Sequence, residues 1–192
     1  MDDADAFLQA AIDEAGRGLA EGGIPIGSVL VHRGAILGRG HNRRVQQGSA
    51  ILHGEMDALE RAGRQPASVY RECVIYTTLS PCAMCTGAIL LYGIPHVIVG
   101  ENQTFLGEEQ WLRSRGVRVD VWQDERCIRL MREFIAAQPQ LWCEDIGQRL
   151  HEAERQRAAA EARALEAGSR IRAEQRARRL LMARDAACAE PV

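Results

Sequence analysis

The stretch Val74-Ile75-Tyr76-Thr77-Thr78-Leu79-Ser80-Pro81-Cys82-Ala83-Met84-Cys85 decides how this chain is read. Val74 to Thr78 is a β-branched run bounded by Ser80-Pro81, which predicts a buried strand. Cys82 to Tyr92 follows as a helix, stopped by Gly93 and Pro95. Pro81 suits the entry to that helix, where its missing N–H costs little. Working outward, Phe7, Leu8, Ala11, Ile12, Ala15 and Leu19 fall on one helical stripe that ends at Gly22-Gly23. Ile26 to Val31 and Ala35 to Gly40 read as strands joined by a tight turn at His32-Arg33-Gly34. Gly54 to Ala62 reads as a helix, His96 to Val99 and Val117 to Trp122 as strands. Asp124 to Gln138 reads as a helix with its first residue as N-cap. A hairpin followed by alternating helices and strands predicts an α/β fold, a three-layer α/β/α sandwich on a mixed sheet of about five strands.

Composition bounds the rest. The chain has 192 residues, 46% hydrophobic and 26% charged, inside the ordinary globular range. Its net charge of −2 argues against a protein built to coat nucleic acid. Its apolar runs fall short of the roughly 20 residues that cross a bilayer, so no membrane span is expected. The acidic start Met1-Asp2-Asp3-Ala4-Asp5 does not read as a secretory signal, and a cytoplasmic home is expected.

Texture changes near Gly147. Residues 1–147 hold 14 arginines and 19 acids, whereas 148–192 hold 10 arginines, 7 acids and 13 alanines. The expected organisation is a domain over 1–147 and an Ala/Arg-rich helical tail over 148–192. A heptad seam from Leu150 to Ile171 is mostly alanine with one charge, weak for a coiled coil. A solvated helix, or one packed on the domain or across a dimer, both stay open. The run Arg176, Arg178 and Arg179 could touch an anion, but such runs are more often a solvated face.

The residues that carry chemistry are His53-Gly54-Glu55 and Pro81-Cys82-Ala83-Met84-Cys85. Cys82 and Cys85, three apart at a helix start, project from one face. They lie near the positive end of the helix dipole, which favours the metal-binding thiolate. His53 lies at another helix start, so two N-termini could aim at one point. A lone C-x-x-C could be a redox pair or part of a closed zinc site, and His-x-Glu alone means little. Together, with Pro before the first Cys, they form the spacing of zinc-dependent deaminases. A closed structural site needs four protein ligands. Here the cluster offers three, His53, Cys82 and Cys85, which leaves a position for water and marks a catalytic Zn2+, one per chain. Glu55 is placed to move protons rather than to ligate.

Further stretches extend the likeness: Glu21-Gly22-Gly23-Ile24-Pro25-Ile26-Gly27, Gly38-Arg39-Gly40-His41-Asn42, Gly48-Ser49-Ala50, Tyr92-Gly93-Ile94-Pro95, Val99-Gly100-Glu101-Asn102 and Glu144-Asp145-Ile146-Gly147. The chain resembles the fungal-type cytosine deaminases of the cytidine deaminase-like superfamily over nearly all of residues 1–147. The resemblance implies a hydrolase, in pyrimidine salvage, that converts free cytosine to uracil and ammonia. It implies zinc hydroxide attacking C4, with Glu55 as proton shuttle. It also implies that the Asn42 side chain and the Gly54 N–H hold the pyrimidine edge. The Ser80 carbonyl would accept from the leaving amine, Phe105 and Trp142 would form aromatic walls, and Asp145 would contact the base. Each has a plainer alternative: Asn42 as a turn residue, Asp145 as a helix cap, the aromatics as core. Cys143 stands where an aromatic is expected beside Trp142, so the pocket lid is expected to differ. Glu101 and Asn102 fit the family pattern without a role that physics assigns.

A homodimer is implied by the family and by the helix segment Ala88-Ile89-Leu90-Leu91-Tyr92, which is apolar all round. The partner expected is a small pyrimidine base, not a membrane or nucleic acid. The alternatives are a deaminase of another small amino-heterocycle and a tRNA adenosine deaminase, the latter short of the basic surface that phosphates need. A non-catalytic zinc module would need neither Glu55 nor an open ligand position.

Overall fold

The computed structural model describes residues 3–147. In chain order these form α1 (Asp3–Ala20), β1 (Gly27–His32), β2 (Ala35–His41), α2 (Arg44–Gln47), α3 (Gly54–Ala62) and α4 (Ala67–Tyr70). Then follow β3 (Cys73–Leu79), α5 (Ala83–Tyr92), β4 (His96–Glu101), α6 (Glu109–Ser114), β5 (Arg118–Val121), α7 (Glu125–Ala137) and α8 (Pro139–Asp145). The chain divides into two units after Gln138. The sheet belongs to the first, and α8 is the described part of the second. The expected tail over 148–192 lies outside the described residues.

The five strands form one sheet in the order β2-β1-β3-β4-β5. β1 runs antiparallel to β2 and β3, whereas β3, β4 and β5 run parallel, so the sheet is mixed as expected. Register lays Leu30 beside Ile75, Ile75 beside Val97 and Val97 beside Val119 on one face. Those side chains pack with Leu59 of α3, Tyr70 of α4, Ile89 of α5 and Leu112 of α6. The alternate residues Val29, Tyr76 and Ile98 also stand side by side, and meet Leu8 and Ala11 of α1 and Cys127 of α7. The period-two alternation of the strands thus feeds two cores, one on each side of the sheet. Ile75, Ile89, Val97 and Leu112 are fully buried, each stabilising by about 1.5–3 kcal/mol.

α3 lies where the residues place it, α5 begins one residue later than expected, and Asp124 caps α7 by accepting from the Arg126 N–H at 2.8 Å. Arg126 reaches on to Asp5 of α1 at 3.0 Å, and this cation holds the Asp124 carboxyl below its ordinary value. Some expectations shift. Leu19 of the α1 stripe is exposed in the last turn. β5 stops at Val121, and Trp122 is exposed, because the chain turns at Gln123 with φ of 53°.

α3 passes so close to β2 that Gly40 has no room for a side chain. A Cβ there would lie 2.3 Å from the Ala58 backbone nitrogen. Gly40→Ala is therefore expected to destabilise the fold by about 1–3 kcal/mol, read as a lower urea midpoint. An unchanged midpoint would contradict this close contact of helix and strand.

Candidate metal centre

His53 and Cys82 occupy equivalent positions at the starts of α3 and α5. Each is the N-cap in an extended conformation, with φ, ψ of −68°, 166° for His53 and −70°, 173° for Cys82. The His53 carbonyl accepts the Asp57 N–H at 2.8 Å, and the Cys82 carbonyl accepts the Thr86 N–H at 2.9 Å. Cys82 therefore precedes the helix rather than opening its first turn, because its extended backbone feeds only its carbonyl into the ladder. Cys85 stands three residues on, inside the first turn, where helix-start N–H groups favour negative charge on sulfur.

Cys82 Sγ lies 3.4 Å from His53 Nδ1 and 3.7 Å from Cys85 Sγ. Sulfurs bound to one tetrahedral zinc stand about 3.8 Å apart, and a sulfur and a ring nitrogen about 3.6 Å. The spacing and the donor set of two sulfurs and one imidazole therefore fit zinc. Cys85 is buried, whereas His53 and Cys82 are half-buried, so the cluster keeps an accessible side.

The two neighbouring sulfurs differ in their affinity for a proton. The hydrogen bond with Cys85, helped by His53, pulls the Cys82 thiol down to about 4. The same bond, together with burial, pushes the Cys85 thiol up. Glu55, on the first turn of α3, is 3% exposed. Its Oε2 is 3.3 Å from Cys85 Sγ, and its Oε1 accepts from the Thr77 hydroxyl at 3.1 Å. Burial raises the Glu55 carboxyl above its ordinary value, and the Cys82 sulfur adds to the rise. A carboxyl that holds a proton more readily than usual, beside a metal cluster, has the character of a general acid–base.

The other expected site residues divide into two groups. Asn42 is fully buried just past β2, with Oδ1 accepting from the Arg44 N–H at 3.1 Å. Gly54 is the first residue of α3 and is buried. Ser80, 3% exposed, follows β3, and Phe105 lies half-buried in the segment after β4. These four share the first unit with the metal cluster. Trp142, buried, and Asp145, half-buried, belong to α8 in the second unit. Thr77 was not anticipated as a partner of Glu55. A hydroxyl on a buried strand residue carries no sequence signal until the helix packed over it is known.

Residues 1–101 match the profile of the cytidine and deoxycytidylate deaminase zinc-binding region. A cytosine deaminase from Candida albicans is 57% identical over 142 residues, which span 73% of this chain and 95% of that protein. A tRNA-specific adenosine deaminase from Streptococcus pyogenes is 44% identical over 106 residues, 54% of this chain and 66% of that enzyme. Among solved structures, guanine deaminase from Nitrosomonas europaea superposes with a TM-score of 0.54 at 23% identity, covering 68% of this chain and 84% of that one. That last likeness is one of fold.

Proposed function

Because the chain belongs to the cytidine and deoxycytidylate deaminase zinc-binding family, we propose that it hydrolyses free cytosine to uracil and ammonia. The observation that carries the choice of cytosine is the 57% identity to a cytosine deaminase over 95% of that protein's length. The tRNA-specific relatives align over shorter stretches at lower identity, so that alternative is not favoured.

His53, Cys82 and Cys85 would hold zinc, which when bound supplies a Lewis acid that brings the ionisation of water near neutral pH. Glu55 would receive the proton that water gives up and pass it to ring N3; it would then take the proton of the new C4 hydroxyl and deliver it to the amine, which leaves as ammonia as the C4 carbonyl forms. Its raised affinity for a proton suits that shuttling. The Asn42 amide and the Gly54 N–H grip the polar edge of the base. The Ser80 carbonyl accepts from the leaving amine, and Phe105 covers a face of the ring. The wall and base contact given to Trp142 and Asp145 rest on the family resemblance. The reaction fits pyrimidine salvage. A reducing compartment such as the cytoplasm would keep Cys82 and Cys85 available as metal ligands.

Glu55→Gln keeps the side chain's shape and its bond from Thr77. It is expected to lower kcat by about 10²–10⁴ with zinc still bound, read by ultraviolet loss of cytosine and metal analysis. Wild-type turnover in that variant would remove Glu55 from the chemistry.

We also propose a homodimer. Leu91, 78% exposed, and Tyr92, 40% exposed, end an almost wholly apolar α5, a surface that a second copy would cover. Sedimentation should give twice the 21.2 kDa chain mass, falling to a monomer in Leu91→Arg. A monomeric wild type would overturn the assembly.

A further inference from the structure

We propose that Glu101 and Glu109 are positioning residues for the substrate pocket. In this reading two buried carboxylates clamp the segment 102–108 against the ends of β3 and β4, and so fix Phe105 and Ser80. The proposal rests on the cytosine reading above.

Glu101 closes β4 and is fully buried. Its carbonyl accepts the Ser80 N–H at 3.0 Å, continuing the β3–β4 pairing past the strand end. Its side chain turns onto the residues that follow. Oε2 accepts the Gln103 N–H at 2.6 Å and the Thr104 N–H at 3.0 Å, and Oε1 accepts the Thr104 hydroxyl. One carboxylate thus satisfies three donors of a single turn, immediately before Phe105. Bonds from N–H groups to an ionised acceptor are about twice as strong as neutral ones, and a buried carboxylate without them would be costly.

Glu109 opens α6 and is 4% exposed. Its Oε1 accepts the Ser80 hydroxyl at 2.9 Å and the Asn102 side-chain amide at 3.0 Å, while Oε2 takes Arg113 at 3.1 Å. The Ser80 oxygen, donating to Glu109, also accepts the Gly107 N–H at 3.0 Å. The Pro81 carbonyl accepts the Glu108 N–H at 2.9 Å. Gly107 is pressed so tightly here that a Cβ would meet the Pro81 carbonyl oxygen at 2.1 Å.

The segment is therefore fastened before Phe105, through Glu101, and after Leu106, through Ser80 and Pro81. Ser80 is gripped from both sides, by the Glu101 backbone and the Glu109 carboxylate, which orients the peptide group assigned to the leaving amine. A wall and an acceptor set in place before substrate arrives spare the cost of ordering them on binding. The effect belongs mainly to KM, since Phe105 and Ser80 contact substrate and the two carboxylates act only through them.

The test compares Glu101→Ala with Glu101→Gln in the full-length zinc-loaded protein, by steady-state kinetics on cytosine and by hydrogen exchange. The Ala variant is expected to raise KM about five- to tenfold with a smaller change in kcat and zinc retained. Its Gln103 and Thr104 amides should exchange about tenfold or more faster than in the wild type. Glu101→Gln should restore both readouts, because its amide oxygen accepts the two N–H groups and its NH2 can donate to a rotated Thr104 hydroxyl. If Glu101→Ala does not fold, Thr104→Val replaces it, with KM and exchange expected to move in the same direction. An unchanged KM in the Ala or Val variant overturns the proposal, as does loss in Gln equal to that in Ala. Fast exchange of these amides in a wild type that turns over cytosine also overturns the clamp. Slow exchange, lost in Ala and restored in Gln, in a protein inactive on cytosine would support the clamp and overturn the substrate assignment.

Discussion

Two sulfurs and a ring nitrogen held 3.4 and 3.7 Å apart need either shared protons or a cation between them, and the rest of this fold brings them to that point. The convergence depends on two helices starting side by side from different parts of the sheet. α5 starts directly after β3, through Ser80 and Pro81. α3 arrives after the β1–β2 hairpin and is drawn onto β2, where Gly40 permits backbone contact. His53 and Cys82 are then matching N-caps. A shift of either helix would move one ligand relative to the other two, so the packing of the sheet and the geometry of the metal site are one constraint.

The position of Glu55 follows from the same arrangement. Glu55 is two residues past His53, so fixing the ligand also fixes the carboxyl. The turn of α3 buries it against Cys85 and Thr77 rather than exposing it to water. That burial raises the carboxyl's affinity for a proton. Past the cluster, Ser80 and Glu101 stand at the ends of β3 and β4, and parallel strands commonly place functional segments at their C-terminal ends.

The sheet and the metal cluster were legible in the sequence because their signals are local and strong. The β-branched run before Ser80-Pro81 marks β3, Gly93 and Pro95 close α5, and the Pro-Cys-x-x-Cys spacing names its ligands. Short α2, α4 and α6 were not anticipated, since four to six residues give too little periodicity to read. α6 nevertheless supplies Leu112 to the core and Glu109 to the loop. Glu101 and Asn102 could be matched to a family pattern but not explained, because their hydrogen bonds join residues of a segment whose path the sequence does not reveal. Thr77 reads as an ordinary strand threonine until β3 is set beneath α3.

His53, Cys82 and Cys85 together imply a zinc centre with three protein ligands and an open position. Zinc-edge X-ray absorption on the metal-loaded protein tests it most directly. Zinc held by His53, Cys82 and Cys85 should show two sulfur neighbours at about 2.3 Å and two lighter nitrogen or oxygen neighbours at about 2.0–2.1 Å, the lighter shell changing when a pyrimidine analogue is added. Three or four sulfur neighbours, or a lighter shell indifferent to the analogue, would contradict an open catalytic site at His53, Cys82 and Cys85.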